Sequence, residues 1–277
     1  MLSEASIERK GSHRRYGLAK AGLILGAMAV FSAGATAGMA AQSTSSSAAT
    51  ATSKPAVKTV AAKKPASAAS KAVSASGPLV KSYGSANAPI RMDIYTDYQC
   101  PSCKAFYEGT LKQLIPSKYI TEGKVYLVHH DFPLQAHMYS GMAARWANAA
   151  ARVGEFPEAE EALYDNQEAW GANGDIAKYI SAAMPAADFK RVEDLVKSCQ
   201  SPAPTSTWDH SNPLANDPHP CAFDYAVADD VELGYKVPVQ ATPTYVITNK
   251  GQKLPAGSGA VSWPILEQFF DSLLSQN

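Results

Sequence analysis

The spacing of apolar residues divides the chain beyond residue 79 into short strands and amphipathic helices. Residues 90–96 predict a strand, and residues 104–119 predict a helix that Pro116 breaks; its apolar side comprises Phe106, Leu111, Leu114 and Ile115. Residues 125–128 predict the next strand, and a short edge strand is expected at 79–82. This strand–helix–strand order predicts two parallel strands joined by a right-handed crossover.

Helical spacing then continues almost without interruption. Four helices are predicted, over residues 138–153, 155–168, 175–183 and 185–198. Large aromatic side chains in this stretch are expected to pack in the core rather than contact a cofactor: Trp146, Phe156, Tyr164 and Trp170.

The last part of the chain returns to strand patterns. A helix is predicted over 222–235, followed by a strand within 241–248 and an antiparallel partner at 252–255, with a turn between them. Residues 264–274 predict the final helix, whose inward face is expected to carry Ile265, Phe269 and Leu273.

The first 78 residues show a different pattern. Residues 1–20 are polar and basic, and residues 21–40 are uncharged and end in small side chains, so residues 1–41 predict an export signal that is either cleaved or kept as a membrane anchor. Residues 42–78 consist mainly of Ala, Ser, Lys, Thr, Pro and Val, a composition that buries too little surface to fold. We therefore expect a disordered linker there, and the folded domain in residues 79–277.

Charge is distributed unevenly, although the net charge is zero. Residues 1–78 hold ten Lys or Arg and two acidic residues, whereas residues 79–277 hold fifteen Lys or Arg and twenty-three acidic residues. An acidic folded domain argues against nucleic-acid binding, which needs a basic surface.

The candidate chemistry lies where the first long strand meets its helix. There the chain reads Asp97-Tyr-Gln-Cys100-Pro101-Ser102-Cys103, a single Cys-X-X-Cys motif. Pro101 suits the first helical position, which places Cys100 at the helix start. Free N–H groups and the helix dipole at that end favour the thiolate, which is the reactive form of cysteine in disulfide exchange. A pair this close in sequence favours redox cycling over a bridge between distant segments.

Two other interpretations of the motif remain open. It can be half of a zinc site, but the sequence has no second Cys-X-X-Cys and no His-X3-His that would complete one. It can also be a purely structural bridge. The two remaining cysteines, Cys199 and Cys221, bracket an irregular Pro- and Ser-rich loop, and after an export signal they are expected to form a structural disulfide. A metal group of these cysteines with His210 and His219 is the alternative.

Several separated features together resemble the DsbA-like branch of the thioredoxin superfamily, over roughly residues 79–277. They are the Cys-X-X-Cys segment, His130-Asp-Phe-Pro-Leu134 with His137, Leu163-Tyr-Asp-Asn-Gln-Glu-Ala-Trp170, and Thr242-Pro-Thr244. The resemblance implies an α/β, thioredoxin-like fold with an inserted helical domain at about 135–221. It also implies a loop with a cis Thr242-Pro243 bond that packs against the cysteines.

The resemblance assigns roles to the site residues. Cys100 is expected to be the exposed attacking cysteine and Cys103 the buried resolving one. The backbone at Thr242 is expected to pair with extended substrate, and Pro243 to keep metals off the cysteine pair. Pro101 and Ser102 are the dipeptide that tunes the thiolate. No cofactor is implied beyond the redox-active disulfide, and no metal.

Two positions depart from the pattern of the family. Ser102 carries no positive charge where the best-studied oxidant has His. Many relatives carry a buried acid six residues before the first cysteine, where this chain has Ile94, and Asp93 beside it faces the other side of the strand. These departures leave the chemistry in place but put the oxidising strength in question. His129, His130 and Asp131 at the end of the next strand are expected to be structural.

The sequence therefore predicts an exported thiol–disulfide oxidoreductase that introduces disulfides into reduced or unfolded exported proteins. Its expected partner is a quinone-linked membrane reoxidant of the DsbB or vitamin-K-epoxide-reductase type, and its expected location is periplasmic or extracytoplasmic. The alternatives are an exported reductase or isomerase, a non-catalytic peptide-binding module and a metal-delivery protein.

Overall fold

The computed structural model describes residues 79–200, 214 and 219–276. The predicted export signal and linker lie outside the described residues, as does His210. Within the described part of the chain, no helix is both long enough and apolar enough to cross a bilayer.

A mixed sheet of six strands forms the centre of the fold and confirms the α/β prediction. Its strands are β1 (Ser82–Tyr83), β2 (Ile90–Thr96), β3 (Val125–Asp131), β4 (Thr244–Asn249), β5 (Gln252–Lys253) and β6 (Gly257–Ser258). The order is β1-β3-β2-β4-β5, with β6 also paired to β4. β2 and β3 are parallel, as predicted, and β4 runs antiparallel to β2. The predicted edge strand forms three residues later than expected, and β6 had no clear sequence signal.

The helix after β2 begins earlier than its apolar spacing predicted. It comprises α1 (Pro101–Phe106), a π-helical segment (Tyr107–Leu111) and α2 (Lys112–Leu114), and α3 (Lys118–Thr121) follows the predicted break at Pro116. Phe106, Leu111 and Leu114 are buried, and Ile115 packs partly against the same core.

Five helices follow β3 in the described residues up to residue 200. They are α4 (Ser140–Val153), α5 (Phe156–Asp165), α6 (Gln167–Gly171), α7 (Ile176–Ala183) and α8 (Ala186–Lys197). The single helix predicted over 155–168 is thus two helices, which meet at Asn166. All four aromatic residues expected in the core are buried there, and Trp170 is fully buried.

α9 (Ala222–Lys236) leads the chain back to the sheet, and α10 (Trp263–Ser275) follows the strand β6. The predicted inward face of α10 was wrong at two of its three positions. Ile265 is 62% exposed and Phe269 39% exposed, whereas Leu266 and Phe270 are buried with Leu273. The Phe270 ring centroid lies 5.5 Å from that of Tyr119 in α3. Packing against α3 therefore buries the apolar face of α10 that lies one residue further along the helix than the predicted face.

Candidate active site

The two cysteines of the motif stand at the start of α1. Cys100 is the N-cap residue in extended conformation, and Pro101 occupies the first turn. The Cys100 carbonyl accepts hydrogen bonds from the backbone N–H groups of Cys103 and Lys104, both at 3.1 Å. The chain therefore turns into the helix at Cys100, where unpaired N–H groups and the helix dipole favour a thiolate.

The two sulfur atoms have different environments. Both thiols are free; Cys100 keeps 7% of its surface exposed and Cys103 1%. Cys100 is thus the more accessible of the two, but it is much less exposed than the resemblance implies. The hydrogen bond from the Cys103 thiol outweighs burial and, with the nearby Thr242 side chain and the backbone N–H groups of Cys103 and Ser102, lowers the pKa of Cys100 to about 5. Burial raises the pKa of Cys103 well above its usual value.

The loop before β4 packs against Cys100. The Thr242-Pro243 peptide bond is cis, and the Cys100 thiol donates a hydrogen bond to the Thr242 carbonyl oxygen at 3.4 Å. The Thr242 hydroxyl is buried and has no hydrogen-bond partner among the described residues. Because an ionised sulfur is a strong acceptor, this hydroxyl is available to the Cys100 thiolate, and its interaction lowers the pKa of Cys100.

Asp97 connects the cysteine loop to the segment that follows β3. Its backbone N–H donates to the Cys103 sulfur at 3.5 Å, and its carbonyl accepts from the Cys100 N–H at 3.1 Å. Its buried carboxylate accepts hydrogen bonds from four donors: the backbone N–H groups of Gln99 and Leu134, the His137 ring and the Ser140 hydroxyl. One carboxylate therefore fixes the loop and its neighbours together.

Two glutamines bind the same loop to the helical region. The buried Gln167 amide donates to the carbonyl oxygens of Tyr98 at 2.7 Å and Cys100 at 3.0 Å. Gln99 accepts from the Tyr139 N–H at 2.8 Å and donates to the Gly171 carbonyl at 3.2 Å. Sequence reasoning missed both roles. The only signal was that Gln99 and Gln167 each lie in a segment of the family resemblance.

The two departures from the family pattern have definite surroundings. Ser102 is exposed at the helix start. Ile94 is buried and lies opposite His129 in the parallel register of β2 and β3. Asp93 is held by Arg91 and by the His130 ring, 2.8 Å from its carboxylate, and does not replace the missing acid.

A buried polar network lies beside that position. The His129 ring is 2.8 Å from the Thr96 hydroxyl and 2.9 Å from the Glu160 carboxylate. Burial opposes a charge on His129, but hydrogen bonds to Asp131 and Glu160 outweigh it and raise the pKa of His129. Lys81 in turn bridges Asp131 and Asp230 at 2.5 and 2.7 Å. These bonds give His129 and Asp131 buried polar partners on neighbouring elements, in keeping with the structural role expected for them.

Cys199 and Cys221 are joined in a disulfide, with their Cα atoms 5.1 Å apart. The bridge ties the end of α8 to the N-cap of α9, where Cys221 also forms a capping box with Asp224. Because the two sulfurs are bonded to each other, they are not available to the alternative metal group. Among residues 79–200, 214 and 219–276, no cluster of three or more His, Cys, Asp or Glu side chains is arranged to hold a metal ion.

An open apolar groove of about 230 Å³ lies next to the cis-proline loop. β4 forms one wall, on which the lining begins at Tyr245, two residues after Pro243, and α10 forms the other wall. The lining includes Tyr245, Ile247, Leu254, Val261, Ile265 and Phe269. The Pro243 carbonyl accepts a hydrogen bond from the Gly259 N–H at 2.8 Å. This bond joins the segment that follows the lining residue Gly257 to the cis-proline loop. The exposed side of α10 is therefore one wall of this groove.

Comparison with known proteins identifies the fold. Residues 77–256 match a family model described as thioredoxin. No curated protein matches the chain. Among solved structures, alpha-DsbA1 of Wolbachia pipientis is 18% identical, covers 72% of this chain and 92% of its own, and superposes with a TM-score of 0.52.

Two further solved structures are similar to this chain. A single-substitution variant of that Wolbachia protein covers 71% of this chain and 91% of its own at 18% identity and a TM-score of 0.53. DsbA2 of Pseudomonas aeruginosa is 21% identical and covers 70% of this chain and 93% of its own, with a TM-score of 0.46. The matches to the Wolbachia structures confirm the predicted thioredoxin-like fold of DsbA type.

Proposed function

The chain belongs to the thioredoxin family, and from this membership we propose that it is an exported thiol–disulfide oxidoreductase that introduces disulfide bonds into other exported proteins. The observation that carries this proposal is the separation of the two cysteine pKa values. The pKa of Cys100 is lowered to about 5, whereas the pKa of Cys103 is raised well above its usual value. At neutral pH Cys100 is therefore a thiolate and Cys103 a thiol.

This separation supports a distinct role for each sulfur in the exchange. With Cys100 and Cys103 oxidised to a disulfide, a substrate thiolate attacks the Cys100 sulfur, the Cys100–Cys103 bond breaks, and Cys103 leaves and takes up a proton. The second substrate thiol loses its proton and attacks the substrate sulfur of the mixed disulfide. Cys100 then leaves as a stabilised thiolate, which is a good leaving group. The substrate loses two electrons and the protein gains them.

The shape of the site supports an extended protein substrate. The cis-proline loop presents the Thr242 backbone directly beside the Cys100 sulfur, so that an extended segment can pair with it as an added strand. The apolar groove between β4 and α10 continues from this loop and offers Ile265 and Phe269 to apolar side chains, which unfolded proteins expose. Pro243 shields the cysteine pair from metal ions.

A disulfide donor needs to be reoxidised after each turnover. We propose a quinone-linked membrane protein of the DsbB or vitamin-K-epoxide-reductase type for this step, acting on Cys100. The proposed location is extracytoplasmic or periplasmic, with residues 21–40 as signal or tether. The predicted export signal in residues 1–41 and the Cys199–Cys221 bridge support this location, because disulfides persist in oxidising compartments.

Two assays on the purified full chain test the proposal. The oxidised protein is mixed with a reduced, unfolded disulfide protein and the return of substrate activity is followed; insulin reduction by dithiothreitol is followed in parallel. We expect stoichiometric oxidation of the substrate by the wild type and none by Cys100→Ala. If Cys100→Ala oxidises substrate equally well, the redox role of the motif is wrong, and if only insulin reduction depends on Cys100, the protein is a reductase.

A further inference from the structure

The backbone N–H of Asp97 points at the sulfur that leaves when the active disulfide opens. Its nitrogen lies 3.5 Å from the Cys103 sulfur, and the carbonyl oxygen of the same residue accepts the Cys100 N–H at 3.1 Å. Cys103 is only 1% exposed, so water has almost no access to its sulfur. A negative charge that develops on this sulfur therefore depends on donors from the protein.

The surroundings of Cys103 otherwise oppose such a charge. Burial raises the pKa of Cys103 most strongly, and the neighbouring Cys100 raises it further. The Asp97 N–H and the Thr242 side chain act in the opposite direction. The Thr242 side chain also lowers the pKa of Cys100, whereas the Asp97 N–H donates to Cys103. Moving this N–H away would leave the donors of the Cys100 thiolate in place.

The Asp97 side chain anchors the residue that carries this N–H. The carboxylate is fully buried, and each of its oxygens accepts two hydrogen bonds. One oxygen accepts from the Gln99 N–H at 2.7 Å and from the Ser140 hydroxyl. The other accepts from the Leu134 N–H at 2.8 Å and from the His137 ring at 2.7 Å. Because a buried carboxylate is costly unless it is hydrogen-bonded, these four bonds resist rotation of residue 97.

We propose that the Asp97 carboxylate fixes its own backbone N–H against the Cys103 sulfur, and that this N–H stabilises the charge that develops there when a thiolate attacks Cys100. In this step the attacking sulfur bonds to the Cys100 sulfur. The electron pair of the Cys100–Cys103 bond moves onto the Cys103 sulfur, which then takes a proton from water. The N–H acts on a reacting atom as a donor of an oxyanion hole does, and the side chain positions it. This inference rests on the proposed exchange activity and adds to it a donor three residues before the motif.

Asp97→Asn tests the carboxylate, because asparagine keeps its shape and replaces one oxygen with an NH2 group. Whichever oxygen is replaced, a backbone N–H, that of Gln99 or that of Leu134, loses its acceptor, so residue 97 is no longer held. We expect the rate constant for attack of reduced glutathione on the oxidised full chain to fall about tenfold. Acid quenching and separation of the mixed disulfide measure this rate.

The equilibrium with glutathione distinguishes this role from a merely structural one. A donor that acts on the developing charge changes the forward and reverse rates by the same factor. The attack of Cys103 on the glutathione mixed disulfide is therefore expected to slow as much as its formation, and the equilibrium constant is expected to stay unchanged. An unchanged rate, or an equilibrium constant that shifts as much as the rate, overturns the inference.

Asp93→Asn is the matched control. It makes the same change in β2, at a carboxylate held by Arg91 and His130, and is expected to leave both rates unchanged. Ser140→Ala serves if Asp97→Asn does not fold. It removes one donor to the Asp97 carboxylate and is expected to slow the attack about twofold to threefold, again without a change in the equilibrium.

Hydrogen exchange tests the bond to sulfur without any change at Asp97. We expect the Asp97 amide to exchange about tenfold faster in Cys103→Ala, which lacks the acceptor, than in the reduced wild type. Equal exchange in the two proteins would overturn the inference. Unchanged attack rates in Asp97→Asn and Ser140→Ala, while the wild type oxidises substrate, overturn this inference alone. A wild type without exchange activity overturns the proposed function instead.

Discussion

The Cys100 sulfur lies 3.4 Å from the carbonyl oxygen of Thr242, although 142 residues separate them in the sequence. This contact joins the two halves of the sheet at the reacting atom. It also places the buried Thr242 hydroxyl, which has no other partner among the described residues, where an ionised sulfur can accept from it.

Thr242→Val tests this hydroxyl, because valine keeps the shape of threonine and removes the donor. We expect the pKa of the Cys100 thiol to rise by about one unit, since the thiolate loses one hydrogen bond. Thiolate absorbance against pH measures it. Thr242→Ser keeps a hydroxyl and is expected to stay near the wild type; an equal rise in both variants would show that packing, rather than the hydroxyl, matters.

The stability of the reduced protein is expected to depend on pH through Cys100. Its pKa in the folded state, about 5, lies below the ordinary value of 9.0. The folded state therefore binds the Cys100 proton less well than the unfolded state does. The contribution of the Cys100 thiolate to the free energy of unfolding is complete above about pH 9 and is lost as the pH falls toward 5. Denaturant unfolding of reduced wild type and reduced Cys100→Ser measures it. The free-energy difference between them should narrow from pH 9 to pH 4; a constant difference contradicts the lowered pKa.

The apolar groove between β4 and α10 is expected to affect the binding of protein substrates but not the equilibrium with glutathione. Phe269→Ser removes a 39% exposed aromatic side chain from its wall. We expect KM for an unfolded protein to rise about fivefold to tenfold, because an apolar anchor is lost, while the equilibrium with glutathione stays unchanged. Tyr225→Ser, at an exposed aromatic residue of α9 outside the groove, is the matched control. Equal effects of both variants on KM would show that the groove does not bind the protein substrate.

The Cys199–Cys221 bridge is expected to serve stability alone. It closes a loop with a sequence separation of 22 residues, so that its removal in the Cys199→Ala/Cys221→Ala double variant should lower the free energy of unfolding by about 3 kcal/mol. Chemical denaturation measures the loss. The reduction potential of the active pair should not change; a shift in that potential would mean that the bridge shapes the active site.

Local patterns predicted most of the fold and the reacting residues. The Cys-X-X-Cys motif at a strand–helix junction and the Thr-Pro step before a strand are short signals, and the structure brings these two segments together. The face of α10 could not be predicted in this way. Ile265 and Leu266, and likewise Phe269 and Phe270, are adjacent apolar residues that define two possible stripes, and only packing against α3 selects between them.

Local sequence patterns could not predict the side chains that hold the cysteine loop in place. Asp97 and His137 are 40 residues apart, and Gln167 contacts a loop 67 residues earlier in the chain. A lone polar residue in a sequence gives no sign of which distant backbone group it will meet. These contacts depend on how the helical region packs on the sheet.

The reduction potential of the Cys100–Cys103 pair distinguishes a disulfide donor from a reductant. The full chain is equilibrated in glutathione buffers, and the free thiols of the two cysteines are trapped by alkylation, with Cys100→Ala as the blank. A thiolate as stable as that of Cys100 predicts a potential more positive than about −200 mV, the range of disulfide donors. A potential near the value of about −270 mV for thioredoxin would contradict the account and identify the protein as a reductant.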